Sequence, residues 1–210
     1  MQKKYKVILI VLAVIIMIGI GISCYFFLFN KKPEEQLPVN EVKVTNTIEK
    51  YGYNLDDRDS ELFKSKFDEL KTLLDTENYD IEEYVSLVSE LFVIDLYTID
   101  NKISRYDVGG LEYVYTDAVS SFQSVAENSI YKSVENNLDD TRIQDLPEVL
   151  DIVLDSIKET TFTMPDESVV DGYAVKLSWK YVENLGYDTA ATLILIPDNQ
   201  KYGVVYFNPI

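Results

Sequence analysis

The chain has 210 residues, enough for one domain with a real hydrophobic core, and its 36 acidic against 19 basic side chains leave a formal net charge of −17. Such a field repels phosphate backbones, so nucleic acid is excluded as a partner. With no histidine and one cysteine, Cys24, the chain cannot build a Ser/His/Asp or Cys/His catalytic set, a zinc site of histidine and cysteine, or an intrachain disulfide.

Residues 1–6 contain Lys3, Lys4 and Lys6 and no acid, and Val7 to Phe29 follows as 23 residues without a charge. At helical rise this stretch spans about 34 Å, the hydrocarbon thickness of a bilayer, and reads as a transmembrane helix. The short basic flank on the amino-terminal side places the amino terminus in the cytoplasm and the rest of the chain outside. The expected plan is a single-pass protein of the cell membrane, with 1–6 as cytoplasmic tail, 7–29 as the span, 30–42 as linker and 43–210 as an extracytoplasmic domain. A cleaved signal peptide is the weaker alternative, because its apolar core would be shorter and would end at a small-residue cleavage site. A lipoprotein signal ending at Cys24 is a second alternative. Gly21-Ile22-Ser23-Cys24 resembles one only loosely, since the apolar run continues through Phe29. Pro33 and Pro38 suit an extended tether.

In the domain, Asp59 is the expected cap of a first helix in which Phe63, Phe67, Leu70 and Leu74 share a face, with Lys64 and Asp68 paired on the other. Asp80 with Glu83 forms a capping-box pattern, and Val85, Val88, Phe92 and Leu96 follow on one stripe of a second helix. Its end, LFVIDLY, is apolar almost all round and predicts a central position. Leu111 to Tyr115 alternates like a short strand. A third helix is expected from Thr116 or Asp117, carrying Val119, Phe122, Ala126, Ile130 and Val134.

The period then changes from helical to two. Tyr173, Val175, Leu177, Trp179 and Tyr181 alternate with small or polar residues, as a strand with one buried face requires. Asn184 to Gly186 makes a turn, TAATLILIPD is the next strand, and YGVVYF is the last. Val149 to Met164, rich in β-branched residues, supplies the first strand, with a helical start near Leu146 as the alternative. Three helices followed by a four-stranded antiparallel meander define the α+β class.

This order of elements, from Asp59 to Phe207, resembles the NTF2-like fold, in which three helices pack on a curved four-stranded antiparallel sheet around a conical cavity. A single membrane helix with a short basic tail ahead of such a domain is similar to the VirB8-type and TcpC-type components of conjugative secretion machines. The resemblance implies an envelope-spanning assembly as the setting. The wording of YGYNL, FVIDLYTIDNK and DVGG also resembles a set of membrane-anchored proteins of low-GC Gram-positive bacteria, a likeness that implies nothing about function.

Asp95, a carboxylate inside LFVIDLYTI, would serve as ligand anchor or general base if it faces a cavity; the competing reading bonds it to backbone amides or to Lys102. Tyr97, Tyr113, Tyr173 and Trp179 are the aromatics expected near the concave face, as cavity lining or as core. Asp107, Gly109 and Gly110 read as a turn: Asp107 would bond amides two or three residues on, and the glycines tolerate positive φ. A phosphate cradle would need a following helix and positive potential. The acidic pairs Glu82–Glu83 and Asp139–Asp140 lack calcium-loop spacing. No catalytic residue, metal or cofactor is assigned. The leading expectation is a non-enzymatic domain that binds proteins, a second copy of itself included. The alternative is a tethered small-molecule binder or carboxylate-based enzyme with a cavity near Asp95.

Overall fold

The structure, a computed structural model, describes residues 43–210. Among the described residues no helix is long and apolar enough to cross a membrane. The apolar stretch Val7 to Phe29, Cys24 and the linker 30–42 lie outside them.

The domain opens with an antiparallel hairpin, β1 (Val44–Ile48) and β2 (Tyr53–Asp56), which forms a two-stranded sheet of its own. The periodicity does not predict it, because only Tyr53 and Leu55 point inward. Helix α1 (Glu61–Leu74) is capped by Ser60, whose side chain accepts from Phe63 N, and not by Asp59. The Asp59 carboxylate is already engaged, accepting from Asp56 N at 2.7 Å in the turn between β2 and α1. Phe63, Phe67 and Leu70 are buried as the spacing predicts. Lys64 pairs with Glu61 at 2.8 Å, one turn back, in place of the expected Asp68.

Helix α2 (Ile81–Tyr97) begins at the predicted cap, Asp80, whose side chain accepts from Glu82 N at 2.8 Å. It is the centre of the molecule, buried from Tyr84 through Ile94 and again at Leu96 and Tyr97. Burying one large apolar side chain is worth about 1.5–3 kcal/mol, so this helix contributes more to the fold than any other element. Ser86 and Ser89 survive inside it by donating to the carbonyls of Glu82 and Val85.

Leu111–Tyr113 is a 3-10 turn and not a strand; Val114 alone makes a parallel bridge, to Val204. A second 3-10 turn (Thr116–Ala118) leads into α3 (Val119–Asn128). Helix α3 ends before the expected Ile130 and Val134. The cause is Tyr131, which is fully buried and donates its hydroxyl to Leu96 O at 2.8 Å, a position a continuing helix would not reach.

The four-stranded sheet follows as β3 (Val149–Thr163), β4 (Val169–Tyr181), β5 (Ala190–Asp198) and β6 (Lys201–Pro209), an antiparallel meander in sequence order. The alternation predicted for β4 holds: Val175, Leu177 and Trp179 are buried, and in register they meet Ile157 and Leu193, Leu154 and Ala191, and Ile152. This inner face packs on α2, and an α+β domain with three helices results. One edge, β6, is partly covered by Tyr115, whose N–H donates to Val204 O at 3.0 Å. The other edge, β3, pairs among the described residues with β4 alone.

Candidate functional site

Asp95 lies in the last turn of α2, two residues before its end, where the chain must reverse into the loop that carries Asp107, Gly109 and Gly110. Its Oδ1 takes Lys102 Nζ in a close ion pair, and its Oδ2 accepts from Gly110 N at 2.6 Å. Both oxygens are therefore spent on closing that loop. Lys102 is only 6% exposed. Burial works against its charge, yet the Asp95 carboxylate more than offsets this and holds the ammonium above its ordinary pKa.

The two glycines answer to sterics. A Cβ on Gly109 would stand 2.1 Å from the Asp95 carbonyl oxygen, so no larger residue fits without moving backbone. Gly110 has φ of +78° and starts the 3-10 turn. Asp107 does not bond amides further along the chain, as its position before the glycines suggests. It accepts from Ile103 N at 2.9 Å, behind it, and from Arg58 Nη1 at 2.7 Å, from a distant segment. Burial pushes the Asp107 carboxyl up, but the guanidinium and the amide prevail and hold it below the usual range.

Around this loop lies a cleft of about 360 Å³, lined by Asn54, Arg58, Asp59, Asp95, Lys102 and Glu112 among others. Burial pushes Asp59 up to about 7, against the opposing bond from Asp56 N. It does the same to Glu112, also to about 7, although the carboxylate accepts from Asn54 N at 3.1 Å. A carboxyl with a pKa near neutrality in a cleft has the profile of a proton-transfer group. Each of these carboxylates nonetheless has a partner within the fold, and together they tie the β1–β2 hairpin to α2.

The aromatics separate. Tyr97 is buried, its ring 4.9 Å from that of Trp179 and its hydroxyl donating to Asp188 at 3.1 Å. Trp179 donates from Nε1 to the Tyr181 hydroxyl at 2.8 Å. Tyr113 is fully buried and stacks on Tyr53 at 5.0 Å. All three are buried in the core. Tyr173 alone among the expected aromatics is half-exposed and lines a cleft, with Tyr202.

Arg58 and Glu112 were not legible as site residues. A signal for Arg58 did exist: the chain has sixteen lysines and only three arginines. All three serve the loop after α2: Arg58 donates to Asn101 O at 3.2 Å, Arg142 to Lys102 O at 2.8 Å, and Arg105 ties the loop to Asn128 at 3.3 Å. The planar, multiply donating guanidinium suits such multi-point closure better than an ammonium does.

No family model matches the chain, and no curated protein and no solved structure matches it.

Proposed function

We propose that the chain is a single-pass membrane protein whose domain 43–210, NTF2-like in plan, stands outside the membrane and binds protein partners as a non-enzymatic subunit of an envelope-spanning assembly. The observation that supports this most is the free edge of β3. Among the described residues β3 has β4 as its one neighbouring strand over its fifteen residues, and Leu150, Val153 and Leu154 are 59, 49 and 37% exposed along it. An extended segment of a partner can add itself to such an edge through main-chain hydrogen bonds. The burial of Tyr97, Tyr113 and Trp179 in the core supports the same reading, because these expected cavity-lining aromatics are engaged in packing.

A photo-crosslinking residue placed at Val153 in native membranes is expected to give a discrete adduct, whereas the same residue at Val125, exposed on α3, is expected to give none. Equal patterns from the two positions would remove the edge as the binding face. Protease added to intact protoplasts is expected to digest the domain and spare residues 1–6; a domain shielded until the membrane is opened would overturn the topology.

One observation favours a second reading, a tethered small-molecule binder or carboxylate-based enzyme: Asp59 and Glu112 both stand near 7 in the cleft beside Asp95. A ligand of that cleft would shift the amide resonances of Asn54 and Gly110 on binding, and a metabolite screen that leaves both unmoved would set this reading aside.

A further inference from the structure

The meander forks at one end. Pairing of β4 with β5 stops at Tyr173↔Leu195, while β3 and β4 continue together to Thr163↔Val169. Two residues contribute to the fork. Pro197 on β5 has no N–H with which to extend a ladder. Gly172 lets the strands cross closely, since a Cβ there would lie 2.3 Å from Leu195 O.

Where the strands part, a cleft of about 300 Å³ opens, lined by Glu159, Asp171, Tyr173, Pro197 and Tyr202 together with Thr160 and Gly172. The two tyrosine rings stand 5.8 Å apart at 60°. Glu159 is the register partner of Tyr173 across β3 and β4. Neither Glu159 nor Asp171 has a hydrogen-bond or ion-pair partner in its side chain among the described residues, unlike the carboxylates around Asp95. Among the described residues no lysine or arginine lines the cleft. Lys201, next to Tyr202, is turned away, donating to Glu112 O at 2.6 Å and lying over the Tyr53 ring. Burial raises the pKa of Tyr173, and the negative charges of Glu159, Glu82 and Asp80 raise it further, so the cleft stands in a negative field from two elements.

We propose that this cleft binds a single cationic side chain, lysine or arginine, of the polypeptide that docks along β3. Two free carboxylates and two aromatic faces attract an alkylammonium or guanidinium group through charge and through the ring quadrupole, and repel an anion. The volume lies at the bottom of the range for ligand pockets and fits one side chain better than a larger molecule. The polypeptide source follows from position, and in this the inference rests on the proposed function: Glu159 belongs to the free edge strand, so a strand added to β3 places a side chain opposite it on the same face.

The test uses the full-length chain in detergent, titrated calorimetrically with an acetylated and amidated Gly-Val-Lys-Val-Gly peptide, with its norleucine counterpart and with n-butylammonium. The lysine peptide is expected to bind about tenfold tighter than the norleucine peptide. In the Glu159→Gln/Asp171→Asn double variant that preference is expected to vanish, at an unchanged melting temperature. Equal binding of the two peptides, or a preference that survives the double variant, would overturn the cation site while an adduct at Val153 still upheld edge docking. Butylammonium binding as tightly as the lysine peptide would overturn the polypeptide source. Loss of the Val153 adduct with the lysine preference intact would instead sink the edge and leave the cleft.

Discussion

The two clefts of this domain that carry carboxylates are wired in opposite ways. Around Asp95, each of Asp59, Asp95, Asp107 and Glu112 accepts a hydrogen bond from backbone or from a cation of a different segment. At the fork of the meander, Glu159 and Asp171 accept none among the described residues, and two half-exposed tyrosines stand beside them. A buried charge must be paired to be tolerated, so the first cleft is committed to holding the hairpin, α2 and the glycine loop together. Charges left to solvent cost little to keep and remain available to a partner. Substitutions in the two clefts are therefore expected to separate stability from binding.

The largest effect is expected at Gly109, where alanine would drive its Cβ into the Asp95 carbonyl. A loss of about 3 kcal/mol or more, read from chemical denaturation, is expected. Lys102→Met should cost about 2–4 kcal/mol, because it strands the Asp95 carboxylate. The double variant Asp95→Leu/Lys102→Met is expected to recover part of that loss. If the single and double variants cost the same, the pair does not act as a unit.

Gly110→Ala is expected to cost about 1–2 kcal/mol for its left-handed φ. Asp107→Asn should cost about 1–2 kcal/mol, since the amide cannot match the charge-assisted bond to Arg58. Melting curves for the two variants separate the turn from the ion pair. By contrast Glu159→Gln and Asp171→Asn, taken singly, should each stay within about 0.5 kcal/mol of the parent. A drop comparable to that of Lys102→Met would erase the contrast between the clefts.

The pH dependence follows from the first cleft. Asp59 and Glu112 have folded-state values raised to about 7, from ordinary values of 3.8 and 4.5. Between those limits the folded state holds protons that the unfolded chain has released. Their contribution is thus fully present below the unfolded values and is lost as pH rises toward 7, by at most about 1.4 kcal/mol per pH unit for each group. Asp107, held low, works the other way, and its contribution fades as pH falls through its folded value. Denaturation midpoints from pH 4.5 to 7.5 should decline, and Asp59→Asn should flatten the decline. A parent whose midpoint rises across that window would contradict the raised values.

The α+β class, the meander order, the cap at Asp80 and the central place of α2 were legible in the sequence, because each rests on local periodicity or on one capping residue. Hydrophobic alternation alone determined which face of β4 is buried, since a shift of one residue would expose Val175, Leu177 and Trp179 together. Local pattern does not record what a side chain meets from a distant segment, and two of the differences between expectation and structure, at Tyr131 and at Asp107, are of that kind. Helix α3 stops short because Tyr131 reaches Leu96 O. Asp59 leaves the cap to Ser60 because Asp56 N claims its carboxylate, and Asp107 turns back to an arginine forty-nine residues away. The β1–β2 hairpin escaped notice because it buries only alternate residues over four positions, too few to stand out as a period. Tertiary structure also decided which carboxylates are spent and which are free, since pairing depends on the partners that folding brings within about 3 Å and not on the acidic residue itself.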